Sequence, residues 1–201
     1  GIVRRTEPEA LAELAAGKDA VVIGPGLGRW DGDAAWLSAV WERMPGDVPL
    51  VLDADALNMI ASAPDFAAWP RRPAEAILAP HPGEMARLVG ASTSDVQRDR
   101  IGVARDYAVR HGVTLVLKGA RTVVATRDGD VYVNPTGNPG MATGGAGDVL
   151  AGLIAALRAQ RLNAGQSAAF GVWLHGKAGD RAAALRPAAA SLIAGDIIDA
   201  L

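Results

Sequence analysis

The sequence predicts an α/β fold, a mainly parallel sheet with helices on both faces, and three observations carry that prediction. Short β-type apolar runs alternate with stretches of helical periodicity. The runs are apolar throughout, as in Leu50-Val-Leu52 and Leu115-Val-Leu117, which is how strands buried on both faces read. Finally, Thr122 to Thr126 and Asp130 to Asn134 flank Arg127-Asp128-Gly129, a hairpin signal that adds an antiparallel pair.

The elements follow in order. Ala20 to Ile23 reads as a strand, followed by GPGLGR and a helix whose Trp36, Leu37, Val40, Trp41 and Met44 fall at helical spacing. Pro49 to Asp53 is the second strand, with a short helix near Ala56 to Ile60. Ala76 to Ala79 is the third, ending in Pro80-His-Pro-Gly-Glu84 and a helix through Val89. Ser94 and Gln97 have capping-box spacing for a helix over Asp95 to Arg110. Val113 to Leu117 is the fourth strand and finishes at Lys118-Gly119. Beyond the hairpin, helices are expected over Gly147 to Ala159, Gln166 to Leu185 and Ala190 to Ala200.

Composition narrows the class. With 201 residues, half of them hydrophobic, the chain can bury one sizeable core and is expected to be a single domain, 1–201. A net charge of −2 supplies no polycationic surface, which argues against a dedicated nucleic-acid binder. No cysteine is present, so disulfides and thiolate metal sites are excluded and a cytoplasmic setting fits. The apolar runs stop short of the roughly 20 residues a membrane span needs. Ala-rich apolar helices and five tryptophans leave room for a homo-oligomer such as a tetramer.

The chemistry-bearing residues sit at strand ends. Gly24-Pro-Gly-Leu-Gly28, Asp53-Ala-Asp55 with Asn58, His81 with Glu84, and Lys118-Gly119 each follow a strand directly, and ligands of open α/β sheets bind outside the carboxyl ends of strands. Each has a plainer reading too. GPGLG lacks the spacing of a dinucleotide fingerprint and can be a structural turn; Asp53 can be a helix cap; Pro-His-Pro can be a rigid turn. Lys118, ending an apolar strand, must either snorkel to solvent or meet an anion.

GNPGMATGGAGDVL, residues 137–150, is the strongest signal. Gly144-Gly-Ala-Gly147 lets backbone approach a ligand closely, and the helix opening behind it presents free N–H groups and a positive dipole end to an anion. GK[ST] is absent, so this is not a Walker A loop. An aspartate at the same helix start would repel a bound phosphate unless it had a task, and the fitting task is to take a proton from a hydroxyl that attacks a phosphoryl group.

GGAGD opening an apolar helix resembles the signature of ribokinase-like small-molecule kinases. The fuller set, GPGLG, LDADALN, APHPGEMARL, LVLKGARTVV, NPTGNPGMATGGAGDVLAG, His175-Gly176 and Ala194-Gly195-Asp196, resembles the ADP-dependent NAD(P)H-hydrate dehydratases and runs through nearly the whole chain in order. Ala146 stands where that family often has threonine, a change the backbone anion hole should survive.

The resemblance implies a ribokinase-like fold and a repair reaction in which hydrated NADH or NADPH is dehydrated at the expense of ADP or ATP, with Mg2+ accompanying the nucleotide. It implies Asp148 as the base, with the N–H groups of Gly145, Ala146 and Gly147 stabilising the transferring phosphoryl. Lys118, Gly119, Ala120, Arg121 and Thr122 would hold the nucleotide together with Gly147, while Gly26, Gly28, His81 and Asn138, with Asp148, would line the hydrated dinucleotide. It places no metal ligands. It also implies a glycine-rich strand and helix ahead of anything matching Gly1 onward, so an N-terminally short domain is expected, one that also lacks the epimerase domain fused to some relatives. A hydroxyethylthiazole-type vitamin kinase shares the glycine–aspartate logic, and a nucleotide-binding remnant without catalysis is a third reading.

Overall fold

The computed structural model describes residues 6–186 and 188–201. Among the described residues, six strands form one sheet in the order β1-β2-β3-β4-β5-β6. β1 (Val21–Ile23), β2 (Leu50–Leu52), β3 (Ile77–Leu78) and β4 (Thr114–Leu117) are parallel; β5 (Val123–Ala125) and β6 (Val131–Val133) follow antiparallel as the expected hairpin.

Sequential parallel strands with right-handed connections send every crossover over the same face of a sheet. Accordingly α2 (Asp33–Arg43), α3 (Asp55–Ser62), α4 (Pro82–Val89) and α6 (Arg100–His111) share one core with the side chains of Leu50, Leu52, Leu78, Leu115 and Leu117. The alternate side chains, Val51, Ile77, Val116 and Val124, face the other way and are covered by α7 (Ala146–Ala159) and α8 (Ala164–Ala184). Strand side chains alternate between faces, so apolar runs such as Leu50-Val-Leu52 and Leu115-Val-Leu117 are what a sheet covered on both sides requires.

Three segments differ from the sequence expectation. Helix α1 (Pro8–Ala15), unassigned from the sequence, has proline in its first turn followed by Glu9, packs on α2, and is held by Trp36 Nε1 donating to the Thr6 carbonyl at 2.9 Å and by a Glu9–Arg43 ion pair. The helix expected from Asp95 to Arg110 is two helices. The capping box is Ser92 with Asp95, not Ser94 with Gln97, and opens α5 (Thr93–Arg98); Asp99 then interrupts and caps α6 by accepting from the Gly102 N–H at 2.8 Å. The last helix shrinks to α9 (Ala194–Asp199) behind a 3-10 turn at Ala189–Ser191, because the Asp196 carboxylate accepts from the Ile193 N–H at 3.0 Å and starts the helix there.

At the end of α6, His111 stacks on Phe66 and leans on Tyr107, with ring centroids 5.0 and 4.2 Å away, and its Nδ1 is buried without a partner. Burial, aided by nearby Arg110, pushes its imidazole down from 6.5 to about 4. The fold thus favours the neutral ring over the unfolded chain's ring. The resulting stability is fully present above 6.5, declines as pH falls from there, and is gone below about 4, where both states carry the proton. We expect urea midpoints to fall through this window and the His111→Phe variant to show a flatter acid limb; parallel limbs would remove His111 as the cause.

Candidate active site

The carboxyl ends of β1 to β4 lie side by side, and each strand-end cluster is locked to the next. β1 exits through Gly24, whose φ is +128°; a Cβ there would lie 1.7 Å from the Asp53 carbonyl oxygen, so only glycine allows the ends of β1 and β2 to come this close. The loop returns through Gly26 and Gly28, both at positive φ, and the Gly28 N–H donates to Asp55 Oδ2 at 2.8 Å, which pins the glycine turn to the first turn of α3. Trp30 and Arg29 then fold back on buried Asp33.

β2 exits through Asp53, which is 2% exposed. Its Oδ1 accepts from the Ala54 N–H at 2.7 Å and from Lys118 Nζ at 2.5 Å. Ala54 has φ +50° and ψ −119°, an unfavourable backbone for a residue with a Cβ. Asn58, one turn into α3, accepts from Arg87 at 2.9 Å and so ties α3 to α4.

β3 exits into Pro80-His81, where His81 is the N-cap of α4. Its Nδ1 accepts from the N–H groups of Gly83 (3.0 Å) and Glu84 (3.2 Å), while Glu84 Oε2 accepts from the His81 N–H at 2.7 Å. The plain reading of His81 as a turn residue is realised at Nδ1, which leaves the proton on Nε2 with half of the side chain exposed. Glu84 is buried, and burial pushes its carboxyl up despite the His81 N–H and Lys118.

β4 exits through Lys118, which does meet an anion, but the protein's own. Its Nζ touches Asp53 and lies 4.0 Å from Glu84. Its backbone N–H donates to the Pro80 carbonyl at 2.8 Å, and Arg100 from α6 donates to the carbonyls of Leu117 and Lys118 at 2.9 and 3.2 Å. Past it come Gly119 at φ +131°, Ala120, and Arg121 at φ +53°; Thr122 Oγ1 closes this turn on the Gly119 carbonyl at 3.0 Å.

The opposite side of the crevice is the start of α7. Gly145 is its N-cap in the left-handed conformation, Ala146 is buried, and a Cβ on Gly147 would lie 3.4 Å from Lys118 Nζ and 3.8 Å from Asp53 Oδ2. The helix terminus therefore abuts the Lys118–Asp53 pair across bare backbone. Asp148 is exposed in that first turn and pairs with none of the described residues. Asn138 belongs to a separate hydrogen-bond set: Oδ1 accepts from the Gly140 N–H at 3.1 Å and Nδ2 donates to Asp180 of α8 at 3.0 Å.

Gly147, Lys118, Asp53, Glu84 and His81 thus form one connected cluster, with Gly26 and Gly28 joined to it through Asp55 and the β1–β2 contact, and Asn138 anchored from α8. Arg100 and Asp180 were not singled out in the sequence. Arg100 carries no motif; Asp180 stands four residues after Gly176 and one after Gly179, a small-residue face that could have marked a close contact. Among the described residues, no group of three or more His, Asp or Glu side chains is placed to hold a metal ion. A cavity of about 680 Å3, lined among others by Glu75, Arg127, Gln166 and Phe170, opens at the other end of the sheet, beside the hairpin turn and the start of α8. It contains none of these strand-end groups.

Residues 2–201 match the family model of the NAD(P)H-hydrate dehydratases. The chain belongs to this family. A bifunctional NAD(P)H-hydrate repair enzyme of Moorella thermoacetica is 48% identical over 202 residues, covering 100% of this chain and 37% of that protein. The ADP-dependent (S)-NAD(P)H-hydrate dehydratase of Neisseria meningitidis serogroup B is 42% identical over 182 residues, 90% of this chain and 61% of that protein. The chain accordingly spans less than two thirds of these relatives. In three dimensions it resembles the ADP/ATP-dependent NAD(P)H-hydrate dehydratase of Bacillus subtilis co-crystallised with ATP and Mg2+, with a TM-score of 0.80 and 32% identity over 94% of this chain and 66% of that one. The fold is ribokinase-like, as the sequence resemblance implied.

Within this strand-end cluster the approach of β1 to β2 is the tightest backbone contact. Gly24→Ala is expected to cost about 1–3 kcal/mol more in urea unfolding than Gly26→Ala, whose Cβ meets nothing within 4 Å. Equal costs would show that the two strand ends separate freely.

Proposed function

We propose that this chain dehydrates hydrated NADH or NADPH, using ADP or ATP as phosphoryl donor. The observation that carries this reading is the abutment of the α7 N-terminus, through Gly147, on the Lys118–Asp53 pair at the strand ends, in a chain of the dehydratase family. Hydroxide is a poor leaving group and phosphate a good one. On this reading the ring hydroxyl attacks the terminal phosphorus of the nucleotide, the nucleotide leaves one phosphate shorter, and the phosphorylated ring then expels inorganic phosphate while the neighbouring ring carbon gives up a proton to water and the carbon–carbon double bond of NAD(P)H reforms.

Each group has a part in this scheme. Asp148, exposed and unpaired, takes the hydroxyl proton. The N–H groups of Gly145, Ala146 and Gly147 receive the transferring phosphoryl at the positive end of α7. Lys118 to Thr122 hold the nucleotide; because Asp53 and Glu84 already offset the Lys118 charge, Lys118 orients more than it attracts, and the helix N–H groups stabilise the phosphate charge, which Mg2+ bound to the nucleotide phosphates would further neutralise. Gly26, Gly28, His81 and Asn138 line the dinucleotide side. A cytoplasmic place of action goes with the substrate and with the lack of cysteine. Self-association is part of the reading, supported by Tyr132, Phe170 and Trp173, large aromatics at least two-fifths exposed.

The test is absorbance at the reduced-nicotinamide band with chemically hydrated NADH or NADPH, Mg2+ and either ADP or ATP. The band is expected to recover only with nucleotide, and the donor is the nucleotide that restores it; accumulation of a phosphorylated alcohol would point to a small-molecule kinase instead, and nucleotide binding without turnover to a non-catalytic module. Asp148→Asn is expected to lower kcat by about 10²–10⁴-fold with nucleotide affinity kept. Turnover at the wild-type rate would remove Asp148 from the role of base.

A further inference from the structure

The arm leading into the glycine loop, residues 134–141, lies along one face of α8 and is bonded to it at Val172 and Trp173 and again at Asp180. Asn134 Nδ2 donates to the Val172 carbonyl at 3.4 Å and Thr136 Oγ1 to the Trp173 carbonyl at 3.0 Å. The face beneath the arm carries no side chains: a Cβ on Gly176 would lie 2.1 Å from Thr136 Oγ1, and one on Gly179 would lie 2.2 Å from Met141 Sδ. One turn beyond Gly176 stands Asp180, half-buried, whose two oxygens are divided between two donors of the arm. Oδ2 accepts from the Gly137 N–H and Oδ1 from Asn138 Nδ2, both at 3.0 Å. Asn138 in turn spends its Oδ1 on the Gly140 N–H at 3.1 Å, so its amide orientation is decided by Asp180.

We propose that Asp180 is the positioning residue of this arm: its carboxylate sets the backbone at Gly137 and the amide orientation of Asn138, and through them the dinucleotide side of the site. This deepens the function proposed above and rests on it for the link to substrate, whereas the positioning itself rests on three hydrogen bonds. The carboxylate suits the place because both donors are neutral N–H groups and it alone offers two acceptors and no donor. An asparagine at 180 must turn its own NH2 toward either Gly137 or Asn138, setting donor against donor. Asn138 could answer by flipping, but only by abandoning Gly140.

That geometry admits an exchange test. In Asp180→Asn one of the two bonds is lost; in Asn138→Asp two carboxylates face each other. In the double variant the polarity of one bond is reversed and all three return: the 180 amide donates to the 138 carboxylate, its carbonyl accepts from Gly137 N–H, and the other 138 oxygen accepts from Gly140 N–H. The experiment measures amide hydrogen exchange at Gly137 by NMR, with steady-state kinetics on the full chain. Exchange at Gly137 reports opening of the whole arm, so whichever bond is lost, each single variant is expected to lose about tenfold or more in Gly137 protection, and the double variant to return to within about threefold of wild type. Asp180→Asn is also expected to raise KM for the hydrated dinucleotide more than for the nucleotide, which a general loss of folded protein would not do. Unchanged Gly137 protection in Asp180→Asn, or a double variant no better than the worse single one, would overturn the proposal. If the wild-type chain shows no turnover, the functional reading fails while the exchange data still decide the positioning.

Discussion

The site is organised around the contact between Asp53 at the end of β2 and Lys118 at the end of β4, 2.5 Å apart and reaching across β3. Both are largely withdrawn from water, Asp53 to 2% and the Lys118 side chain to 18% exposure. Such a pair is held only where further bonds satisfy it, and removing one partner leaves an uncompensated buried charge at a cost of about 3–5 kcal/mol. Here the further partners are the Ala54 N–H and, at 4.0 Å, Glu84. Glu84 ties the pair to the capping box of α4 and hence to His81. The strained backbone at Ala54 is held by the same bonds, since it aims the Ala54 N–H at the carboxylate that grips Lys118.

On the other face of the sheet, α8 does for the glycine loop what that pair does for the strand ends. Its glycines let the arm lie against bare helix, and Asp180 bonds the arm at its turn. His175, buried on the same helix, meets the backbone of Ala146 in the first turn of α7, and burial holds its imidazole below the usual range. The loop that presents Gly145 to Asp148 is thus fastened at both ends to one long helix. Preorganised N–H donors are worth most for a developing phosphoryl charge when nothing must reorganise around them.

How much was legible followed the range of each interaction. The strands and the hairpin were, because an apolar run buried on both faces and a Gly-containing turn are local patterns. The helix over 95–110 was not, because Ser92, Ser94 and Asp99 are all competent caps within eight residues, each for a different backbone N–H, and only the packed structure chooses among them. Helix α1 stayed hidden because its support comes from α2, through Trp36 and Arg43. Of the site, the glycine–aspartate motif and the strand-end positions of Lys118, His81 and Asp53 could be read in order along the chain. That Lys118 would be answered by Asp53, 65 residues away, could not.

The sequence by itself determined the fold class, the family and the kinds of groups that gather in the crevice, since these follow from periodicity and from residue types at strand ends. Only the tertiary structure decided which groups pair, which nitrogen of His81 is spent on a cap, and that the carboxylate of Asp180 sets the arm at Gly137 and Asn138. The physical reason is that hydrogen bonds and ion pairs depend on ångström distances between residues far apart in the chain. A one-dimensional pattern fixes what each residue offers but not what it meets.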